Sequence, residues 1–251
     1  MHNKKQKTKC GADVMDAIRN AYPQSIVRDD VVYDEDSYYH EIRDDVRTAL
    51  SRIKQTDLTY HRPPEGKSHW KNGVDPDKEP PSCLEEPASY DLLFLALRGR
   101  QFEFEGELDE EHLPEGAEEP ITVIVPSVGR IGCAVGISIV APFAVIRFTE
   151  MEWTESGSET MPDIWPRMFN LDGSKLDVEA HYGELFLEEG LIALRGLRET
   201  VTKTLGKFGI RTLSEQELEC PIPGLKPEPT PNAVLQNENV TVKNALFFQT
   251  I

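Results

Sequence analysis

The sequence predicts an α+β fold: a mainly antiparallel sheet packed by one long helix and by shorter helices near the N-terminus. Two observations lead there. Between Arg130 and Arg147 lies an uncharged, β-branched run broken by Pro142, the pattern of two buried strands. Leu187, Leu191, Leu194, Val201, Leu205 and Phe208 recur at helical spacing and mark one long helix over Glu184 to Phe208. The 251 residues are read as a single domain spanning 1–251.

Taken in order, residues 1–10 hold the basic cluster KKQKTK, Lys4 to Lys9, which reads as a flexible, solvated tail. In ADVMDAIRNAYP, Val14, Met15, Ile18 and Ala21 fall at helical spacing, and Pro23 forbids continuation, so a first helix ends near Tyr22. In SYYHEIRDDVRTALSRI, Ile42, Val46, Ala49, Leu50 and Ile53 form one apolar stripe, with Ser37 or Asp36 available as N-cap. Residues 59–87 are dense in Pro, Gly and charge and read as one long loop, either a binding element or a linker.

Leu92 to Leu97 then form an apolar run, and Phe102 and Phe104 alternate with Glu103 and Glu105. Two strands about a turn at Arg98-Gly99-Arg100 account for both periods. The acidic spacer DEEHLPEGAEEP leads into ITVIVP, a β-branched strand stopped by Pro126. Cys133 to Val140 and Phe143 to Trp153 are the two core strands, parted at Ala141-Pro142. The passage from Thr154 to Gly183 is turn-rich, with short extended pieces. Gly209 suits the C-terminal cap of the long helix, Ile210 to Leu213 read as extended, and Ser214 with Glu217 forms a capping-box pattern. Residues 221–231, PIPGLKPEPTP, read as an extended Pro-rich spacer, and NVTVKNALFFQTI as a terminal strand docking onto the sheet.

The charge balance excludes several function classes. Lys and Arg number 27 against 44 Asp and Glu, a formal charge of −17, which repels phosphate backbones and anionic lipid. Direct nucleic-acid binding is therefore not expected, and a cationic protein partner or plain solubility is. The uncharged run of residues 131–146 is shorter than the roughly twenty residues of a spanning helix and contains Gly132, Gly136 and Pro142, so no membrane segment is expected. Cys10, Cys83, Cys133 and Cys220 form no CxxC pair, and the N-terminus shows no export pattern. A cytoplasmic protein with reduced thiols follows as the expectation.

No catalytic, cofactor or metal motif emerges. Gly136-Ile137-Ser138 is followed by Ile139-Val140, so GxSxG fails, and neither GxGxxG nor GxxxxGK[ST] occurs. The six histidines show neither HxxxH nor HExxH. The nearest metal-like cluster, His61, His69 and Cys83 with Asp75 and Asp77, matches no zinc spacing. Glu152 beside Trp153 reads as an exposed strand-end carboxylate. A hydrolase would need Glu152, His181 or a loop histidine to converge with another titratable group. Cys133, in an apolar run with no base nearby, reads as inert.

Clustered negative charge is the feature that stands out. Between Gln101 and Pro120, Glu103, Glu105, Glu107, Asp109, Glu110, Glu111, Glu115, Glu118 and Glu119 occur with no Lys or Arg. Asp29, Asp30, Asp34, Glu35 and Asp36 form a second group around Tyr33 and Tyr38. Such clusters serve solubility, or they serve as docking faces for a basic protein, speeding encounter by roughly 10- to 10³-fold at low salt. The candidate partner-binding residues are accordingly Glu103, Glu105, Glu107, Asp109, Glu110, Glu111, Asp34, Glu35, Asp36 and Tyr38, the tyrosine as an aromatic anchor.

CAVGISIVAPFAVIRF, the helical EEGLIALRGLRETVTKTLGKFGIRTL and the ending VTVKNALFFQ after a Pro-rich spacer carry a resemblance that spans about Ile131 to the C-terminus. In these features the chain resembles the immunity proteins encoded beside bacterial polymorphic or contact-dependent toxins, many of them acidic α+β domains. The resemblance implies a non-enzymatic protein that neutralises a basic toxin or effector by occlusion, and it assigns no individual functional residue. The alternative expectation is an accessory or sensor subunit of a larger bacterial defence complex.

Overall fold

The computed structural model describes residues 11–27, 36–62, 69–70, 90–108, 123–156, 159–162, 167–169, 188–227 and 240–247. In chain order the elements are α1 (Ala12–Ala21), β1 (Ile26–Val27), α2 (Arg43–Ser51), β2 (Thr56–Arg62), β3 (His69–Trp70), β4 (Tyr90–Leu108), β5 (Val123–Ser138) and β6 (Phe143–Ser156). There follow β7 (Glu159–Pro162), β8 (Arg167–Phe169), α3 (Glu188–Gly206), β9 (Arg211–Thr212), α4 (Glu215–Leu218), β10 (Lys226–Pro227) and α5 (Val242–Leu246). The class is α+β.

The main sheet runs β3-β2-β4-β5-β6-β7, every neighbouring pair antiparallel, and β8 also pairs antiparallel with β6. β9 joins β6 in parallel through Phe143↔Arg211 and Ala144↔Thr212. A separate parallel ribbon links β1 to β10. The uncharged run is therefore two adjacent strands, paired from Ser127↔Thr154 to Ile137↔Ala144. Among the described residues no helix is long and apolar enough to cross a membrane.

Helices cover both faces of this sheet. On one face Leu93, Leu95, Cys133, Val135, Ile137, Ala144, Ile146 and Phe148 pack with Val46 and Leu50 of α2 and with Leu194, Leu197, Val201 and Leu205 of α3. On the other, Tyr90, Phe143 and Val145 pack with Val14 and Ile18 of α1, Leu218 of α4, and Val242, Ala245 and Leu246 of α5. A strand buried on both faces needs apolar residues at every position rather than at alternate ones. That explains why residues 131–139 are buried without a break. Each large aliphatic or aromatic side chain so buried contributes about 1.5–3 kcal/mol.

Local chemistry fixes the helix ends. Neither Ser37 nor Asp36 caps α2, whose N-cap is Ile42 without a side-chain bond; Ser37 instead accepts from the His40 N–H at 3.2 Å in the 3-10 turn His40–Ile42 that leads into the helix. The capping box at α4 forms, with Ser214 Oγ accepting from the Glu217 N–H while the Glu217 carboxylate accepts from the Ser214 N–H. α3 stops where Gly209 adopts φ 75° and the Ile210 N–H donates back to the Leu205 carbonyl.

Several expectations are corrected. The strand–turn–strand placed around Gly99 is one strand, β4, because the positive φ of Gly99 is absorbed in a bulge. The register jumps from Ala96↔Gly132 to Gln101↔Arg130, while the Arg98 N–H donates to the Gln55 carbonyl at 2.9 Å. Pro126 does not stop its strand, since β6 pairs with β5 only from Ser127 onward. At Pro126 the strand has one neighbour, and a missing N–H is tolerated there.

Residues 59–62 of the expected long loop belong to β2, and His69 and Trp70 to β3; the remainder of 59–87 lies outside the described residues. The Pro-rich spacer is docked over its first part, with Ile222 and Leu225 buried and Lys226–Pro227 paired to β1. The expected C-terminal strand is a helix, α5. Thr241 and Asn244 form a capping box, and Val242, Ala245 and Leu246 fall on one buried face at helical spacing. Residues 1–10 and most of 154–183 lie outside the described residues or are described only as the short strands β7 and β8.

Gly132 sits at the register jump, against the neighbouring strand. A Cβ there would stand 2.0 Å from the Leu95 carbonyl oxygen and 2.9 Å from the Ala96 Cα, both backbone atoms. Gly132→Ala should therefore lower unfolding stability by about 1–3 kcal/mol. Gly196→Ala, mid-helix in α3 with nothing within 4 Å of its Cβ, should instead raise it by about 0.5–1 kcal/mol. Urea denaturation of the two variants beside the parent checks both signs.

Candidate functional site

The predicted acidic site divides between described and undescribed residues. Glu103, Glu105 and Glu107 occupy alternate positions of β4, opposite Val128, Pro126 and Ile124 of β5. β2 reaches along β4 only to Leu97, so this distal half of β4 is paired on one side among the described residues. Asp34, Glu35, Asp109, Glu110 and Glu111 lie outside the described residues, and Asp36 is exposed just ahead of the turn that opens α2.

Tyr38 is half-buried rather than displayed. Its hydroxyl donates to the Ser138 carbonyl at 2.7 Å and lies 3.2 Å from that of Ala141, which ties the start of the α2 segment to the β5–β6 turn. Burial pushes its phenol well above the usual value. The structure thus places Tyr38 as a staple between a helix and the sheet.

Beside it, Tyr39 is fully buried and donates to Oδ2 of the fully buried Asp91 at 2.6 Å, while the Arg43 guanidinium stacks 5.8 Å from its ring centroid. Burial, and next the Asp91 carboxylate, hold this phenol far above its ordinary range. Tyr22, whose hydroxyl donates to the Ala245 carbonyl at 2.7 Å, is likewise raised by burial. Nothing in the sequence marks the Tyr39–Asp91 pair, because its members stand 52 positions apart.

The metal-like cluster is partly assembled: His61 and His69 are direct partners across β2 and β3. Cys83, Asp75 and Asp77 lie outside the described residues, as does His181, and no group of three or more His, Cys, Asp or Glu able to hold a metal occurs among the described residues. Glu152 pairs in register with Gly129, inside β6. Cys133 and Cys220 are buried and outside any disulfide, and burial pushes the Cys133 thiol far above its usual value, which removes it as a nucleophile.

Sequence reasoning missed a basic cleft of about 550 Å³ between the C-terminal ends of α2 and α3. Ala49, Arg52, Ile53, Lys54, Thr200, Thr204 and Lys207 line it. The available signal was local charge: residues 191–209 hold Arg195, Arg198, Lys203 and Lys207 against Glu199 alone, and Arg52 and Lys54 follow α2, all within an acidic chain.

No protein family, characterised protein or solved structure matches the chain.

Tyr22, Tyr38 and Tyr39 share an ordinary value of 10.0, and the folded protein raises all three. The native chain therefore keeps phenolic protons that the unfolded chain releases. Their contribution to stability is complete below about pH 10 and drains as pH rises past it. Urea midpoints measured from neutral pH upward should fall across that limb. Tyr39→Phe should cost about 1–3 kcal/mol at neutral pH, because Asp91 loses a buried donor, and should flatten part of the alkaline decline.

Proposed function

We propose that the protein is a non-enzymatic, acidic protein-binding module that neutralises a basic partner by occlusion, in the manner of a bacterial immunity or antitoxin-type protein acting in the cytoplasm. The observation that carries this reading is the run of nine acids between Gln101 and Pro120 without one Lys or Arg. Its location supports the reading. Glu103, Glu105 and Glu107 fall on the stretch of β4 that β2 leaves unpaired, where a strand edge and a negative field coincide.

Occlusion asks little of the protein's own chemistry. It requires a rigid platform, which the doubly covered sheet supplies, and a surface potential opposite to the partner's. A negative face speeds encounter and suppresses acidic competitors, while affinity comes from packed side chains at the centre of the contact.

The test begins with a tagged pull-down from the native cell beside a mock control. Reversing Glu107, Asp109, Glu110 and Glu111 to Lys should weaken capture of a basic protein at least about tenfold, chiefly by slowing association, and the parent's affinity should fall as salt rises. Capture indifferent to both salt and reversal removes the acidic face from the account. Recovery of a multi-protein assembly in place of a single basic toxin would point to the accessory-subunit alternative.

A further inference from the structure

We propose that the cleft between the C-terminal ends of α2 and α3 binds a small, multiply charged oxyanion of the pyrophosphate or phosphate-ester class. This does not rest on the docking reading, because it concerns other residues and the opposite sign of charge. Three exposed cations, Arg52, Lys54 and Lys207, line one open concavity of about 550 Å³, a volume within the range of small-molecule sites. None of the three makes an ion pair among the described residues, although the chain carries 44 acids to 27 bases. Three neighbouring cations without an ion-pair partner among the described residues hold a local positive field against the net charge of the chain.

Helix-end compensation does not account for that field. Each helix C-terminus concentrates roughly half a negative charge, so two ends offset about one of the three cations and leave about two. The terminal carbonyls, moreover, are already bonded by backbone. The Arg52 N–H donates to the carbonyls of Ala49 and Leu50, the Lys207 N–H to that of Thr204, and the N–H groups of Phe208 and Ile210 to that of Leu205. The cationic heads are left for another acceptor.

The rest of the wall sets the class of ligand. Thr200 and Thr204, also on the wall, donate their hydroxyls to the carbonyls of Gly196 and Thr200 at 2.9 and 2.8 Å, so their oxygens keep only acceptor capacity. Charge recognition falls to the guanidinium, which can grip two oxygens of one phosphoryl group at once, and to the two ammonium groups as point charges. A hydroxyl on a phosphate ester would find the threonine oxygens. An extended anionic surface is disfavoured by the net charge of −17, which decays over a Debye length but repels anything larger than the cleft.

The experiment is calorimetric titration of the full chain with sodium pyrophosphate at low ionic strength. The expected result is one saturable site whose affinity falls with added salt. Arg52→Glu combined with Lys207→Glu should weaken it by about ten- to hundredfold, the loss expected for charge-assisted hydrogen bonds. Lys226→Glu combined with Lys243→Glu makes the same change in net charge on the other face of the sheet and should leave the affinity within about twofold, the behaviour of charges beyond screening distance. Lys54→Gln, in an exposed turn, serves if the double reversal fails to fold, and should weaken binding at least about threefold. Absence of saturable binding, equal loss in both double variants, or binding to anionic lipid vesicles without binding to free pyrophosphate would each overturn the proposal.

Discussion

β5 is covered by neighbours on four sides, and the rest of the structure follows from that. β4 and β6 take its backbone hydrogen bonds, α2 and α3 close over one face, and on the other Ser138 is bonded to α5. A strand in that position meets no water along residues 131–139, so polar side chains there must be satisfied internally or be absent. Ser138 is the exception that shows the rule, its hydroxyl donating to the Leu246 carbonyl at 2.9 Å and so anchoring α5. Gly132 shows the steric side of the same constraint, since β4 approaches closely enough there to forbid any Cβ.

Polar staples then hold the two helical layers to this strand and its neighbours. Tyr38 reaches the β5–β6 turn from the α2 side, Tyr39 reaches Asp91 of β4, and Tyr22 ties α1 to α5. Across the second face Arg147 of β6, almost fully buried, pairs with Glu215 of α4. Arg211 bonds Glu217 at 2.8 Å and lies 3.2 Å from Asp13, joining β9 to α4 and α1. The three tyrosine bonds and the Arg147–Glu215 pair link segments far apart in sequence and leave a buried group with its partner, where an unmet one would cost more than the bond itself contributes.

On this frame the charge is unevenly laid out. The carboxylate-rich stretch continues from the half of β4 that β2 does not reach, whereas the ends of α2 and α3 gather cations around a cleft. A net charge of −17 opposes the compact state by self-repulsion, which the burial of the two apolar layers offsets.

Sequence alone determined whatever depends on neighbours along the chain. The uncharged run had to be strands, since it is too short and too rich in Gly and β-branched residues for a spanning helix. The stripe ending at Phe208 had to be a helix, and Ser214 with Glu217 had to cap one. Tertiary structure decided the remainder. NVTVKNALFFQTI reads as a strand, and the groove among α1, α4 and the second face of the sheet, which buries Val242, Ala245 and Leu246 together, selects α5 instead. The Gly99 stretch is a bulge and not a turn because β5 pairs with β4 both before it, at Ala96, and after it, at Gln101. The Tyr38 hydroxyl, legible as a surface anchor, is drawn inward by carbonyls one hundred positions away, and Arg52 meets Lys207 only because α2 and α3 lie side by side on one face. Those outcomes turn on contacts between distant residues, whose free energy no local pattern encodes.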